Sequence, residues 1–370
     1  MSGVRHLYVH LPFCAHRCGY CDFVTVVGRP GQHDAYVEAL LAELELERDV
    51  LAGRLETIFL GGGTPTFTEP TALARLLAGL PPALEVTVEA NPETVTLELA
   101  RLLRSAGVNR VSLGAQSFLR HLLGVLERVA GPDDVRRGFY HLRDAGFDNI
   151  SLDLIYGIPG QSPADLESDL SEALALGPEH LSCYELEAKP GTRFTHAHGA
   201  ELARQSEAME TYFEQVVETL TGAGYRWYET ANFCRPSELA GGRDLRSLHN
   251  LGYWLAHDYL GIGIGAVSTI ENRRRRNAPR LVAYLKALAE GHRPPAEVEW
   301  LDEPTRRRER VMLGLRLDEP LELRDADELV DGAALARLRS LGLIAEGGGV
   351  LRLTRRGRFL GGGVTAELLA

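Results

Sequence analysis

The sequence predicts an α/β fold over its first half, followed by a mixed α+β segment and a small C-terminal domain. Six short apolar runs alternate with amphipathic helical patterns, as in chains that build parallel βα units. A polar or glycine-rich element follows nearly every run, which is typical of an active site at the carboxyl ends of strands. With 370 residues, 45% of them hydrophobic, the chain can bury a sizeable core.

The six predicted strands are β-branched or apolar, and the helices between them carry apolar residues at helical spacing. We expect Thr96 to cap one helix, Pro163 to open another and Gly177 to end it. Right-handed crossovers would curve such units into a barrel or partial barrel, although the pattern fits an open doubly wound sheet equally well. The strands are residues 6–11, 57–60, 85–89, 110–113, 149–154 and 180–186, and the helices are residues 33–50, 96–106, 133–145 and 162–176.

Three of the five cysteines lie in one short loop. Cys14, Cys18 and Cys21 have the spacing C-x3-C-x2-C, which can hold three irons of a cubane iron–sulfur cluster and leave the fourth open to a small molecule. An odd and sparse set of cysteines argues against a disulfide framework. A structural zinc site usually uses two separated pairs, and no second pair is present. The spacing therefore favours an open cluster, with a zinc-containing binding module as an alternative.

The segment from Tyr8 to Phe23 resembles the cluster motif of radical S-adenosylmethionine (SAM) enzymes. Within that group it is similar to the oxygen-independent coproporphyrinogen III oxidase (HemN)-like family, and the similarity covers most of the chain. The resemblance implies a partial (β/α)6 radical SAM barrel, a [4Fe-4S] cluster on the three cysteines and SAM as its ligand. It also implies reductive cleavage of SAM, in which the protein positions the cofactors and excludes solvent. No catalytic residue is assigned.

The residues at the strand ends resemble the SAM-binding positions of this family. The resemblance implies that the glycine motif takes the SAM amino group and that Glu89 contacts the ribose. By themselves, the glycines could be a tight turn and Glu89 a surface carboxylate. Asp153 lies between two leucines, where a carboxylate is costly unless it has a partner. The residues assigned to SAM are Tyr8, Tyr20, Gly63, Thr64, Glu89, Gln116, Arg128, Asp153 and Val267.

The second informative motif is His249-Asn250-x-x-Tyr253-Trp254, an imidazole beside two aromatic rings. Histidine is a common haem ligand, although a lone histidine is more often structural. The motif resembles that of the HemW branch of the family, whose members are understood as chaperones that pass haem to client haemoproteins. Phe23 stands where the oxidase has a further cysteine, which puts decarboxylation in doubt. We expect a haem chaperone with haem at His249; the alternative is an oxygen-independent coproporphyrinogen III dehydrogenase.

Three domains are predicted: a barrel over residues 1–195, a post-barrel extension over 196–302 and a winged-helix-like domain over 303–370. The extension begins near residues 190–194, which resemble the post-barrel segment of the family. In the last domain, residues 305–315 and 332–341 are predicted helices and residues 343–353 a hairpin. The second of these helices carries only two arginines, which argues against DNA recognition.

Composition limits the partners. A net charge of −11 argues against general binding to nucleic acid or anionic membranes, and residues 273–276, all arginine, are predicted to form a solvated loop. No apolar run approaches the length of a membrane span, and the sparse cysteines indicate a reducing cytoplasm. The expected partners are haem and client haemoproteins. A homodimer and a transient approach to the membrane are compatible with the sequence, which does not identify the electron donor.

Overall fold

The structure is a computed structural model that describes residues 3–29, 31–187, 189, 193–322 and 329–369. Residues 190–192 of the predicted post-barrel motif lie outside the described residues. The strands are β1 (His6–Leu11), β2 (Phe13–Cys14), β3 (Val26–Val27), β4 (Leu55–Gly62), β5 (Ala83–Ala90), β6 (Arg110–Gln116), β7 (Ile150–Tyr156), β8 (His180–Glu185), β9 (Arg226–Glu229), β10 (Asn232–Cys234), β11 (Leu260–Ile262), β12 (Val267–Ile270), β13 (Arg273–Asn277), β14 (Ala296–Trp300), β15 (Leu321–Glu322), β16 (Ile344–Gly347) and β17 (Val350–Leu353).

Fourteen α-helices are found in the described part of the chain, several of them between consecutive strands of the main sheet. They are α1 (His33–Leu46), α2 (Pro70–Gly79), α3 (Leu97–Ser105), α4 (Arg120–Val125), α5 (Pro132–Asp144), α6 (Pro163–Leu176), α7 (Arg193–Gln205), α8 (Met209–Gly222), α9 (Leu248–Trp254), α10 (Leu281–Ala289), α11 (Glu303–Gly314), α12 (Gly332–Ser340), α13 (Arg355–Phe359) and α14 (Gly361–Leu368).

The main sheet has nine strands in the order β11-β1-β4-β5-β6-β7-β8-β10-β9. Its six central strands are the six predicted from the sequence, and they are parallel. They lie in sequence order, whereas a doubly wound sheet reverses its order partway, so the strand order decides between the two predicted architectures. Three strands were not predicted: β11 extends one edge in parallel, and β10 and β9 form an antiparallel hairpin at the other edge.

Local signals set the helix ends. The Thr96 side chain accepts a hydrogen bond from the Leu99 amide and caps α3. Ser162 caps α6 ahead of Pro163, and Gly177 ends that helix with a left-handed φ of 68°. These predictions are confirmed. The helix predicted over residues 33–50 is too long, because α1 ends at Leu46 and a separate 3-10 turn covers Arg48–Val50.

The core lies between the sheet and its helices. Leu7, Val9 and Leu11 of β1 are fully buried, and so is Leu103 on α3. Full burial of such a side chain stabilises the fold by about 1.5–3 kcal/mol before entropy is counted. Because every residue of β1 is buried or half-buried between its neighbours, the cysteine loop that follows it starts from a rigid strand.

The prediction of a solvated loop at residues 273–276 is wrong. These arginines form β13, which lies between β12 and β14 in an antiparallel sheet. Arg274 donates two hydrogen bonds to Glu309 at 3.0 and 2.8 Å, and Arg275 donates one to the buried Glu47 at 2.8 Å. These ion pairs connect β13 to α11, which carries Glu309, and to the end of α1, which Glu47 follows directly.

The C-terminal part has its own apolar core around Val311, Leu338 and Leu351, with a three-stranded sheet in the order β15-β17-β16. The predicted helices and hairpin are found there, with bounds shifted by a few residues at most. The predicted boundary after residue 195 falls inside α7, while the boundary at 303 coincides with the start of α11, capped by Asp302. No helix among the described residues combines the length and hydropathy needed to cross a bilayer.

Candidate functional site

The three cysteines of the loop lie together at the carboxyl end of β1. Cys14 is the last residue of β2 and is buried, whereas Cys18 and Cys21 are half-buried in the turn that follows. All three are free thiols that line one cavity of about 420 Å³. Burial raises the pKa of the Cys14 and Cys21 thiols, so a bound metal would have to supply the charge that favours the thiolate.

This donor set fits an iron–sulfur cluster with an open position. The other two cysteines, Cys183 and Cys234, are buried and are not among the residues that line the cavity. Three protein thiols can therefore face the cavity and a fourth cannot. The Thr64 hydroxyl lies 3.4 Å from Cys14 Sγ and gives that sulfur a polar neighbour.

Most of the residues predicted to bind SAM line the same cavity. They come from separate strand ends, which the parallel sheet brings to one edge. Seven of the nine predicted residues are found there: Tyr20, Gly63, Thr64, Glu89, Gln116, Arg128 and Asp153.

Tyr8 and Val267 do not line the cavity. The Tyr8 hydroxyl is hydrogen-bonded to His10 Nδ1 at 3.1 Å, and its ring stacks on Phe59, which does line the cavity. Val267 begins β12, and its backbone passes close to Gly261. A Cβ on Gly261 would lie 2.2 Å from the Val267 backbone oxygen. Both residues therefore lie outside the group that the cavity brings together.

Glu89 and Asp153 are enclosed carboxylates with different partners. Burial raises the pKa of Glu89 to about 7, opposed by a hydrogen bond from the Gly62 amide to its Oε2 at 3.1 Å. Burial also raises the pKa of Asp153, and the Ser112 hydroxyl, 3.0 and 2.9 Å from the two Asp153 oxygens, lowers it. Near neutral pH, Glu89 is therefore poised between its acidic and ionised forms, as suits a group that binds hydroxyls.

Arg128 is anchored at the cavity wall. Its Nη2 donates to Asn91 Oδ1 at 3.0 Å and to the Gly114 carbonyl at 2.9 Å, and its Nη1 lies 3.8 Å from Cys18 Sγ. Its buried Nε has no hydrogen-bond partner among the described residues. A cation beside the cysteines and two carboxylates across the cavity fit a zwitterionic amino acid joined to a ribose, as in SAM.

Several lining residues were not assigned from the sequence, among them Arg110 and Asn91. Arg110, at the start of β6, is 2% exposed, and its charge partly offsets the rise in pKa that burial causes in Glu85, Glu89 and Asp153. An arginine that opens an otherwise apolar strand was the available signal. Asn91 donates to the Thr64 hydroxyl at 2.9 Å and accepts from Arg128, so it joins two predicted residues.

Backbone strain marks the end of β6. Gln116 has a φ of 65°, which is unusual for a residue with a side chain, and the pairing of β6 with β7 shifts its register between Leu113 and Gln116. Such strain concentrates at functional sites, where the surrounding structure holds it in place. The bulge re-aims Gln116, which is among the residues that line the cavity.

His249 is enclosed beneath this cavity. Its ring is 1% exposed, with Nδ1 2.7 Å from the Thr57 hydroxyl and Nε2 2.9 Å from the Tyr253 hydroxyl. Burial and the nearby His6 lower its pKa to about 3. Both ring nitrogens are engaged in hydrogen bonds, so haem iron could bind His249 only if one of these bonds were broken. The assignment of haem to His249 stays a prediction.

The fold and the cysteine loop define the class, which comparison with known proteins supports. The radical SAM superfamily model matches residues 8–173, and the HemN C-terminal domain model matches residues 301–360. The solved HemN of Escherichia coli, described as a coproporphyrinogen III oxidase and a radical SAM enzyme, superposes with a TM-score of 0.84 at 24% identity. That match covers 100% of this chain and 91% of the other, and it supports the fold. The protein has the radical SAM fold.

Curated relatives narrow the family. A haem chaperone HemW of Mycobacterium tuberculosis is 37% identical over 98% of this chain and 94% of its own length. The HemW of Bacillus subtilis is 34% identical over 99% of both chains, and that of E. coli is 38% identical over 70% of this chain and 68% of its own. The chain belongs to the HemW family.

Proposed function

We propose that this chain is a haem chaperone that holds a [4Fe-4S] cluster and SAM in its barrel and delivers haem to client haemoproteins. The observation that carries the proposal is that three free cysteines and seven predicted SAM residues line one cavity, in a chain similar over nearly its whole length to proteins named haem chaperone. The alternative, coproporphyrinogen III dehydrogenase, has no comparable support, because the 24% identity to HemN speaks only for the fold.

Each residue has a role that follows from its surroundings. Cys14, Cys18 and Cys21 would hold the cluster, and the Arg128 guanidinium near Cys18 would offset the negative charge of the thiolates. When bound, the cluster and SAM supply one-electron chemistry to the site. The strand ends that line the cavity would shield that chemistry from water on their side.

The two buried carboxylates would contact different parts of SAM. Glu89, held by the Gly62 amide, would accept hydrogen bonds from the ribose hydroxyls. Asp153 of β7, held by Ser112 of β6, would orient the ligand. Because their supporting hydrogen bonds come from residues of the sheet, both carboxylates are positioned before the ligand binds.

No haem-binding step is assigned to His249, because both nitrogens of its ring are engaged in hydrogen bonds. The proposal that the chain carries haem therefore rests on its family, and the identity of the haem ligand is a separate question. One titration can answer both.

The test is a haem titration of the anaerobically reconstituted protein, followed by the Soret band, with His249→Ala measured alongside. We expect saturable uptake by the wild type; uptake no greater than that of a non-haem protein of similar charge would refute the chaperone proposal. For His249→Ala, the closed geometry predicts an unchanged Soret maximum and a loss of about 1–3 kcal/mol in unfolding free energy, because Thr57 and Tyr253 lose a buried partner. A shifted Soret maximum with unchanged stability would make His249 the ligand.

A further inference from the structure

Three metal-ligating side chains meet at the amino ends of β1 and β4, the opposite end of the sheet from the cysteines. His6 is the first residue of β1, Glu56 the second of β4, and His257 follows α9. His6 Nε2 lies 3.1 Å from His257 Nδ1 and 3.4 Å from Glu56 Oε2, and the three ligand atoms are all within 4.8 Å of one another. Residues 251 positions apart in the chain are thus brought to one point.

The separations of His6 Nε2 from the other two ligand atoms match those of a tetrahedral metal site. Zinc binds imidazole nitrogen at about 2.0–2.1 Å, which places neighbouring ligand atoms roughly 3.3 Å apart. The His6 ring is buried and lies beside the His257 ring, with ring centroids 5.3 Å apart. The Glu56 side chain is one-third exposed, which leaves a route to solvent.

The neighbouring groups support the ligands as they do in known metal sites. His6 Nδ1 is 2.9 Å from the Thr57 hydroxyl, the kind of outer partner that fixes the orientation of a ligating imidazole. Arg5 Nη1 pairs with Glu56 Oε1 at 2.6 Å and leaves Oε2 for the metal. Burial lowers the pKa of His6 to about 4 and also lowers that of His257, which keeps both imidazoles in the neutral, ligating form at neutral pH.

We propose that His6, His257 and Glu56 bind a divalent cation of the zinc type, with the fourth position open to water. Two neutral imidazoles and one carboxylate are a ligand set that zinc uses in other proteins. The site is separate from the cysteine loop, and it stands whether or not the proposed chaperone function holds. A bound ion would fasten the start of β1 to β4 and to the segment after α9, three parts of the chain that otherwise meet through hydrogen bonds.

Zinc-edge X-ray absorption tests the site directly. The protein, with its iron–sulfur cluster reconstituted, is loaded with one equivalent of zinc and freed of excess metal. We expect a first shell of nitrogen and oxygen at about 2.0 Å with the outer-shell scattering of imidazole. Sulfur at about 2.3 Å would place the zinc on the cysteines and overturn the proposal, as would the absence of retained zinc.

Two variants and a control complete the test. Loss of even an outer partner weakens metal binding roughly 10–100-fold, so His257→Ala is expected to raise the zinc Kd at least about tenfold. Glu56→Gln keeps the shape of the side chain, removes its charge, and serves if His257→Ala folds poorly. His292→Ala removes an exposed histidine elsewhere and should leave the Kd unchanged. A Kd within twofold of wild type for both ligand variants would overturn the assignment.

Discussion

At the scale of single residues, Glu89 is the carboxylate whose protonation the site controls. Burial raises its pKa from about 4.5 to about 7, so between these values the folded protein holds a proton that the unfolded chain releases. The contribution of Glu89 to stability is therefore most favourable below pH 4.5 and decreases as the pH rises through 7. A ligand that needs the ionised form works against this burial cost.

Glu89→Gln should remove that dependence on pH. We expect the melting temperature of the ligand-free variant, relative to wild type, to rise between pH 5 and pH 8, because the variant has no buried charge to form. Thermal melts at the two pH values measure the difference, with Glu297→Gln on the exposed strand β14 as the control. A difference that stays constant with pH would show that Glu89 is not titrating in this range.

At the scale of the elements, the turn after β4 depends on glycine for a reason that the sequence did not reveal. A Cβ on Gly62 would lie 2.4 Å from His10 Cε1, and one on Gly63 would lie 2.5 Å from the Pro12 oxygen. The sequence suggested that these glycines make room for a ligand. Their lack of side chains also lets β1 and the residue after it, Pro12, pack directly against this turn.

Gly62→Ala is expected to destabilise the fold by about 2 kcal/mol or more, since its φ of 111° is closed to residues with a side chain and the added methyl meets His10. Denaturant unfolding of the whole chain measures the loss. Gly53→Ala, where a Cβ has nothing within 4 Å, should change stability little. Equal stability of the two variants would contradict the packing argument.

The same scale shows how far sequence reasoning reaches. The central strands, the cap at Thr96 and the start and end of α6 at Pro163 and Gly177 follow local patterns, and they were predicted correctly. The arginine strand β13 was not, because its partners Glu309 and Glu47 are distant in the chain and only the fold brings them near. Arg110 was missed as a site residue for the same reason.

At the scale of the whole molecule, an ion pair with a buried carboxylate joins the C-terminal domain region to the edge of the main sheet. Glu229 of β9 is fully buried and accepts hydrogen bonds from Asn232 Nδ2 at 2.6 Å and from Arg316 Nε, beyond the end of α11, at 2.7 Å. Nearby, Arg358 of α13 lies 3.6 Å over the Trp227 ring. The two parts of the chain are thus held by interactions that need both of them.

Arg316→Met should therefore cost about 3 kcal/mol in unfolding free energy, because it leaves the Glu229 carboxylate buried without its cation. Adding Glu229→Gln should recover part of the loss. The exposed pair of Arg337 and Glu367 offers a control, for which Arg337→Met is expected to cost less than about 1 kcal/mol. Urea unfolding of the full chain measures both losses. Losses of the same size would contradict the argument that burial of Glu229 increases the contribution of its ion pair to stability.

The hydrogen bonds from His6 through Thr57 and His249 to Tyr253 have a consequence for where protons can sit. When Thr57 donates its single hydroxyl proton to one imidazole and accepts from the other, a reversal at one imidazole reverses the other, and the row has two such arrangements. A cation on His6 Nε2 would permit only one of them, in which His249 Nε2 carries its proton and has no lone pair. The proposed metal site at the start of β1 would then be linked to His249 by the direction of a row of protons, with no movement of the backbone.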